Sequence, residues 1–244
     1  TAKQTLDTAQ NLYEKKLITY PRTDSQYLTE DMEQTARNVV RQIYEKYQLT
    51  GPFDQPEQPD VKKVMNNSKV TDHHAIIPTM ELSSCHLDEL KSWEEKILFL
   101  IAVHTVMAMS KEHVYQETEI EVECQGEIFK AKGRTVLQDG WKLFENCFKN
   151  KDRMAIVDPD QEMKERMPKV TQGQTFYAVA AEKTEHFTSP PKPYSEDTLL
   201  AAMETAGNKE FDEDTEKKGL GTPATRAGII EKLIYSQYAT RKGK

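Results

Sequence analysis

Two spacings of apolar residues alternate along the chain, and the places where one gives way to the other divide it. From Thr5 to Lys16, Leu6, Ala9, Leu12 and Tyr13 recur at helical spacing. A second stripe, Met32, Ala36, Val39, Val40, Ile43 and Tyr47, predicts a helix capped by Thr29, with Glu30 and Asp31 in its first turn and an end near Gly51-Pro52. The polar stretch from Pro52 to Ser68 reads as a surface connection. Asp88 to Ser110 predicts a long helix whose middle, Ile97 to Val103, is apolar on every side and therefore buried all round. At Val114 the period becomes two. Ile120, Val122 and Cys124 alternate with Glu119, Glu121 and Glu123, the pattern of a strand with one face covered. Gln125-Gly126 turns it into a second strand, Ile128 to Val136, and the residues from Gly140 to Phe144 and from Gln174 to Ala181 predict a third and a fourth. Lys149 to Gly173 is a charged excursion between them. Beyond Pro190, Pro191 and Pro193, Ser195 caps a helix that buries Leu199, Leu200 and Met203 and ends at Gly207. Thr222 caps another, with Pro223 at its first position and Ile229, Ile230, Leu233 and Ile234 facing inward. Helices on either side of an antiparallel β unit make the fold class α+β.

Composition narrows the setting. A chain of 244 residues, 37% hydrophobic and 30% charged, can bury a sizeable core. No apolar run approaches the roughly 20 residues a membrane span needs, and no secretory leader is visible, so the expected location is cytoplasmic. Cys85, Cys124 and Cys147 lack C-x-x-C spacing, which implies neither a disulfide framework nor a zinc site. The net charge of -7 argues against indiscriminate binding to nucleic acid. It leaves open a local array of cations, hydroxyls and helix N-termini on a phosphate backbone. The start at Thr1 without methionine and the end at Arg241-Lys242-Gly243-Lys244 suggest an excised piece of a longer protein.

Chemistry concentrates in Leu17-Ile18-Thr19-Tyr20-Pro21-Arg22-Thr23-Asp24-Ser25. Proline holds the residue before it extended. Residues two apart then share a face. Tyr20, Arg22 and Asp24 point one way and Pro21 and Thr23 the other, so a phenol, a fixed cation and a carboxylate share one face. Spacing alone also fits a strand end running into a polar turn with an ordinary surface ion pair.

The stretch resembles the active-site signature of type IA DNA topoisomerases, in which the tyrosine of an I-T-Y-x-R-T-D-S run attacks a DNA phosphate. Further stretches match that family in order. They are Leu6-Asp7-Thr8-Ala9-Gln10-Asn11-Leu12-Tyr13-Glu14, Asp72-His73-His74-Ala75-Ile76-Ile77-Pro78-Thr79, Pro190-Pro191-Lys192-Pro193-Tyr194-Ser195-Glu196 and Gly219-Leu220-Gly221-Thr222-Pro223-Ala224-Thr225-Arg226-Ala227. The proline after the tyrosine, the paired histidines and the G-L-G-T-P-A-T-R form look more like topoisomerase III than topoisomerase I.

The resemblance implies a helical domain with the tyrosine (1–110), a segment of a β-rich arch (111–188) and the start of a helical DNA-binding domain (189–244). It implies an enzyme that cuts one strand, holds its 5′ end on Tyr20, passes another strand through the gap and reseals it. A phosphotyrosyl ester keeps the energy of the broken bond, so no ATP is required. Tyrosine, with an unperturbed pKa of about 10, needs a neighbouring cation or base to react. Arg22 suits two phosphate oxygens. Asp24 orients Arg22 or caps the following turn, and both readings stand. By resemblance His73 contacts a phosphate near the break, while His74 is structural. Adjacent histidines rarely converge on one ion, so no metal site is read there. Thr19, Asp24 and Ser25 are assigned to DNA around the tyrosine.

Gly219 and Gly221 let the backbone approach a phosphate, and the helix N-terminus with Thr222, Thr225 and Arg226 adds donors. Taken alone the same residues make a well-capped helix and nothing more. With the family they point to single-stranded DNA.

The family's acidic magnesium-binding domain lies before the tyrosine and is not found here, so the expected partners are single-stranded DNA and that domain. Asp158-Pro159-Asp160-Gln161-Glu162 mimics its motif in the wrong place, among mixed charges, and is expected to bind no catalytic metal. Two other classes remain in view. One is a non-catalytic module that binds single-stranded DNA. The other is a tyrosine recombinase, which holds a 3′ rather than a 5′ phosphate.

Overall fold

A computed structural model describes residues 1–49, 59–149, 168–177, 180, 182–207 and 219–242. They form two compact units, one of Thr1–Lys111 with Tyr194–Lys244 and one of Glu112–Pro193. Helices dominate and the sheet is a small antiparallel ribbon, in keeping with the α+β class.

In the first unit, α1 (Ala2–Glu14), α2 (Glu33–Tyr47) and α3 (Ser92–Ala108) follow the apolar stripes closely. Leu12 from α1, Val39 and Ile43 from α2, and Leu98 and Ala102 from α3 are fully buried. Every residue from Ile97 to Val103 is buried or half-buried, as its all-round apolarity requires. Tyr47 and Phe99 meet edge to face with centroids 5.0 Å apart. Three expectations shift. Thr29 makes no side-chain cap; Asn67 Oδ1 accepts from Glu30 N–H at 2.9 Å, and a 3₁₀ turn, Glu30–Met32, leads into α2. That helix stops at Tyr47 because Gln48 is left-handed (φ 47°), before Gly51 is reached. The connection before α3 is not wholly surface, since Val61 is fully buried and Val64 accepts from Leu28 N–H at 2.7 Å.

Helices α5 (Glu196–Thr205) and α6 (Pro223–Tyr235) belong to the same unit. Ser195 Oγ caps α5 by accepting from Thr198 N–H at 3.2 Å. Their apolar faces are less covered than expected. Leu199, Leu200 and Met203 are half-buried, Ile230 is buried, and Ile229 and Leu233 are exposed. Lys15 Nζ donates to Glu94 Oε2 at 2.7 Å and so ties the end of α1 to the start of α3.

In the second unit, β1 (Val114–Cys124) and β2 (Glu127–Gln138) pair in register about the Gln125-Gly126 turn. One face carries Glu117, Glu119 and Glu121 opposite Arg134, Lys132 and Lys130, which form three ion pairs. The other carries Ile120 and Val122 opposite Ala131 and Phe129. The expected covering of this face is not found: among the described residues both faces are open and Phe129 is 59% exposed. The expected third strand is a helix, α4 (Lys142–Lys149). Leu143, Phe144, Cys147 and Phe148 recur at helical rather than alternate spacing, and Phe144 is buried. Residues 174–177 are not strand, and the rest of the expected fourth strand, like Asp158-Pro159-Asp160, lies largely or wholly outside the described residues.

Candidate active site

The end of α1 aims the tyrosine segment. Lys16 is left-handed (φ 60°), its N–H donates to Tyr13 C=O at 2.8 Å, and Leu17 N–H donates to Leu12 C=O at 2.9 Å. This pair of bonds is the Schellman closure, made here by lysine where glycine is usual. It turns Leu17 and Ile18 into the core, where they are 5% and 1% exposed. They then pair with the later motif. Thr19 N–H donates to Ile77 C=O at 2.9 Å and Thr79 N–H to Leu17 C=O at 3.0 Å, flanking an antiparallel bridge between Ile18 and Pro78. Proline fits because its absent N–H faces the side of the bridge that makes no bond. The Thr19 hydroxyl donates to Ala75 C=O and accepts from Ile77 N–H, both at 3.0 Å. Farther on, Thr23 Oγ1 donates to His73 C=O at 2.9 Å and Ala75 N–H to Tyr27 C=O at 2.8 Å. Two stretches far apart in sequence are thereby held side by side.

This pairing sets His73 against Tyr20, with ring centroids 4.4 Å apart and planes at 44°. Tyr13 also meets Tyr20, at 5.3 Å and 74°, an edge-to-face contact. Tyr20 is half-buried, its phenol has no hydrogen-bond partner among the described residues, and its ring lines a groove of about 510 Å³ with Tyr13, Lys16, Thr19 and Thr79. The backbone bends at Pro21-Arg22, yet burial still alternates. Pro21 is buried and Arg22 exposed, Thr23 half-buried and Asp24 exposed. Arg22 makes no hydrogen bond or ion pair among the described residues. Neither reading of Asp24 is realised: its carboxylate neither pairs with Arg22 nor caps the turn. Thr23 and Ser25 hydroxyls do the capping, accepting from Ser25 N–H and Tyr27 N–H at 3.1 Å each. Ser25 Oγ also donates to Lys69 C=O at 2.8 Å. His74 Nδ1–H donates to the Ala75 carbonyl at 2.8 Å, a local bond that fits a structural part.

The glycine motif is built around a buried arginine. Gly219 (φ +64°) and Gly221 (φ +69°) are left-handed, and a Cβ on Gly219 would lie 2.3 Å from the Glu204 carbonyl oxygen. Arg226, only 7% exposed, donates from Nε to Leu220 C=O at 3.1 Å, with Nη1 3.9 Å from Glu204 Oε2. Its guanidinium therefore braces the loop that precedes its own helix. Thr222 N–H donates to Thr225 Oγ1 at 2.9 Å, and both hydroxyls remain at the exposed helix start. A second cleft, about 480 Å³, is lined by Asp24 and Ser25, by His104 of α3 and by Pro223 and Arg226, so the two motifs face one space. Tyr13 is a residue that the sequence does not single out for the site. It reads there only as one position of the helical apolar spacing before the tyrosine, but it is 40% exposed and touches the tyrosine. Its position in the last turn before the signature was the available signal.

Among the described residues no group of three or more His, Cys, Asp or Glu could hold a metal ion, and no helix is long and apolar enough to cross a membrane.

A family model described as DNA topoisomerase matches residues 1–244. The chain is 37% identical to DNA topoisomerase 3 of Bacillus licheniformis and 37% to that of Bacillus subtilis, in each case over 100% of this chain and 34% of the relative. It is 35% identical to DNA topoisomerase 3 of Vibrio cholerae, over 100% of this chain and 37% of that protein. The chain thus spans about a third of the length of the curated relatives it matches. A tyrosine in ring contact with a histidine and a second tyrosine, on a segment whose motifs run in the family's order, sits within a match that covers every residue, and the chain belongs to the DNA topoisomerase family.

Proposed function

We propose that the protein carrying this chain is a type IA topoisomerase of the topoisomerase III kind, acting on single-stranded DNA, and that Tyr20 is its nucleophile. In the cleavage step Tyr20 loses its phenolic proton and Oη bonds to phosphorus. The bond from phosphorus to the 3′ oxygen breaks, and that oxygen takes up a proton as it leaves. The 5′ phosphate stays on Tyr20 until the 3′ hydroxyl attacks it and restores the strand. The observation that carries this reading is an unbonded phenol in contact with two rings at the wall of an open groove.

Arg22, exposed and unpaired among the described residues, holds the non-bridging oxygens of the scissile phosphate, and His73 contacts the same region. A guanidinium acts most strongly as charge develops on those oxygens. Thr222, Thr225 and Asp24 border the path of the strand. Thr19, Ser25 and Arg226 serve it indirectly, since their polar atoms already bind backbone carbonyls of this chain. Residues 1–110 form the tyrosine-bearing helical domain, 111–188 part of an arch and 189–244 a DNA-binding helical segment. Magnesium belongs to a separate acidic domain of the whole protein, and no step here runs through it. The cytoplasm is the proposed location.

The test is denaturant trapping on a labelled single-stranded oligonucleotide with the full-length protein. Wild type should yield a covalent adduct that maps to the Tyr20 peptide and carries the 5′ side of the break. Tyr20→Phe should bind the oligonucleotide and give none. An adduct with the Phe variant would remove Tyr20 as nucleophile. A 3′ linkage would point to recombinase chemistry, and binding without any adduct in wild type would leave a DNA-binding module.

A further inference from the structure

We propose that Tyr13 is a positioning residue for Tyr20, an inference that rests on the reading of Tyr20 as nucleophile. The phenol of Tyr20 has no hydrogen-bond partner among the described residues, so its direction is set by the rings against it. His73 comes from the paired segment, whereas Tyr13 comes from the last turn of α1. That turn is stiff, because the Tyr13 carbonyl itself accepts the Lys16 N–H in the Schellman closure. The ring is thus carried by a closed helix end rather than by a loop.

Tyr13 is not explained by packing. The buried residues of α1 are Ala9 and Leu12, and Tyr13 is 40% exposed. Its one ring contact among the described residues is with Tyr20, and its hydroxyl has no partner among them. The 74° edge-to-face arrangement at 5.3 Å is the geometry in which an aromatic quadrupole favours one ring orientation over others. In-line attack on phosphorus rewards that restriction, since a small misplacement of a reacting atom costs rate rather than binding. What matters is therefore the ring of Tyr13 and not its hydroxyl.

The experiment uses the full-length protein with Tyr13→Phe, Tyr13→Leu and Tyr13→Ala. It measures single-turnover cleavage of a labelled single-stranded oligonucleotide at saturation, and the Kd for the same oligonucleotide. Tyr13→Phe should cleave within about two-fold of wild type, and Leu and Ala should be slower by about ten-fold with Kd nearly unchanged. Leu keeps most of the apolar volume, so the Phe and Leu pair decides the matter even if Ala fails to fold. Leu cleaving as fast as Phe would overturn the proposal, as would a loss confined to Kd, which would make Tyr13 a DNA contact. A slow Phe variant would also overturn it. Failure of the nucleophile assignment looks different, because it appears as a wild-type adduct on another residue or an adduct formed by Tyr20→Phe.

Discussion

Replacing Thr19 by valine keeps the shape of the side chain and removes the hydroxyl that links the tyrosine segment to residues 75–77. Two bonds of 3.0 Å are lost, one given to Ala75 C=O and one taken from Ile77 N–H. The consequences differ. Ala75 is half-buried and its carbonyl can turn to water, whereas Ile77 is 5% exposed and its N–H is left facing a methyl group. A lost bond costs on the order of 1 kcal/mol net and a buried orphan donor about 1–3, so the expected destabilisation is about 2–3 kcal/mol. Hydrogen exchange is the suitable assay because it reads the affected amide directly. The Ile77 amide should exchange about 30-fold faster or more in Thr19→Val, while core amides of α2 change less. Thr19→Ser keeps the hydroxyl and should restore most of the protection. In the full-length protein, loosening this pairing should also move His73 from Tyr20 and slow cleavage. Unchanged Ile77 exchange together with weakened DNA binding would refute the reasoning, since the hydroxyl would then serve DNA and not the fold.

Other perturbations follow from the same geometry. Burial opposes ionisation of Glu94, but bonds from Lys15 Nζ and Lys91 N–H and their charges outweigh it and hold its pKa below the usual carboxylate value. A lowered folded pKa gives stability that is present above the unfolded value, about 4.3, and is lost as pH falls through the folded one. Glu94→Gln should therefore flatten the acid side of a stability profile, and an unchanged acid limb would count against it. Gly219→Ala forces a Cβ to within 2.4 Å of two carbonyl oxygens, so it should cost more than about 2 kcal/mol in urea unfolding and open the loop braced by Arg226. Lys16→Gly removes the left-handed strain of a Cβ residue and should stabilise the chain by a few tenths to about 1 kcal/mol, measured the same way. No gain would mean that the lysine stem contributes packing that offsets the strain.

The helices were legible because their signals are local. Each of α1, α2 and α3 carries its own stripe, and the errors fall at ends, where left-handed Lys16 and Gln48 stop helices without a glycine to announce it. The ribbon was legible from alternation and from Gln125-Gly126. Its burial was not, because alternation says that one face is apolar and not what covers it. The residues from Gly140 to Phe144 misled because a short apolar run fits either period, and Leu143, Phe144, Cys147 and Phe148 decide it only when read together. Motif wording alone singled out the tyrosine and its histidine. Their contact depends on Ile18 meeting Pro78, which no local pattern encodes.

Charge is where sequence and structure together say more than either alone. A chain of net charge -7 makes a poor general binder of phosphate, so a phosphate site within it depends on which cations are left over after folding. The described arginines can be sorted by what they hold. Arg37 is paired with Glu33, Arg41 with Asn38, Arg134 with Glu117, and Arg241 with Glu196 and Glu231. Arg226 is turned inward onto Leu220 and Gly221 carbonyls. Arg22 alone among them has neither carboxylate nor carbonyl, and it lies two residues from an unbonded phenol. An exposed ion pair contributes at most about 1 kcal/mol, so leaving such an arginine unpaired costs the fold little. Keeping Arg22 unpaired beside Asp24 leaves its fork available to an outside anion. Arg22→Ala should then leave urea stability within about 0.5 kcal/mol while cutting the cleavage rate of the full-length protein by about 100-fold or more. Arg22→Lys should recover only part of the rate, because a point charge cannot span two oxygens. A stability loss in Arg22→Ala that matched its loss of cleavage would make the residue part of the fold, and the sorting of cations by their partners would fail as a guide to the site.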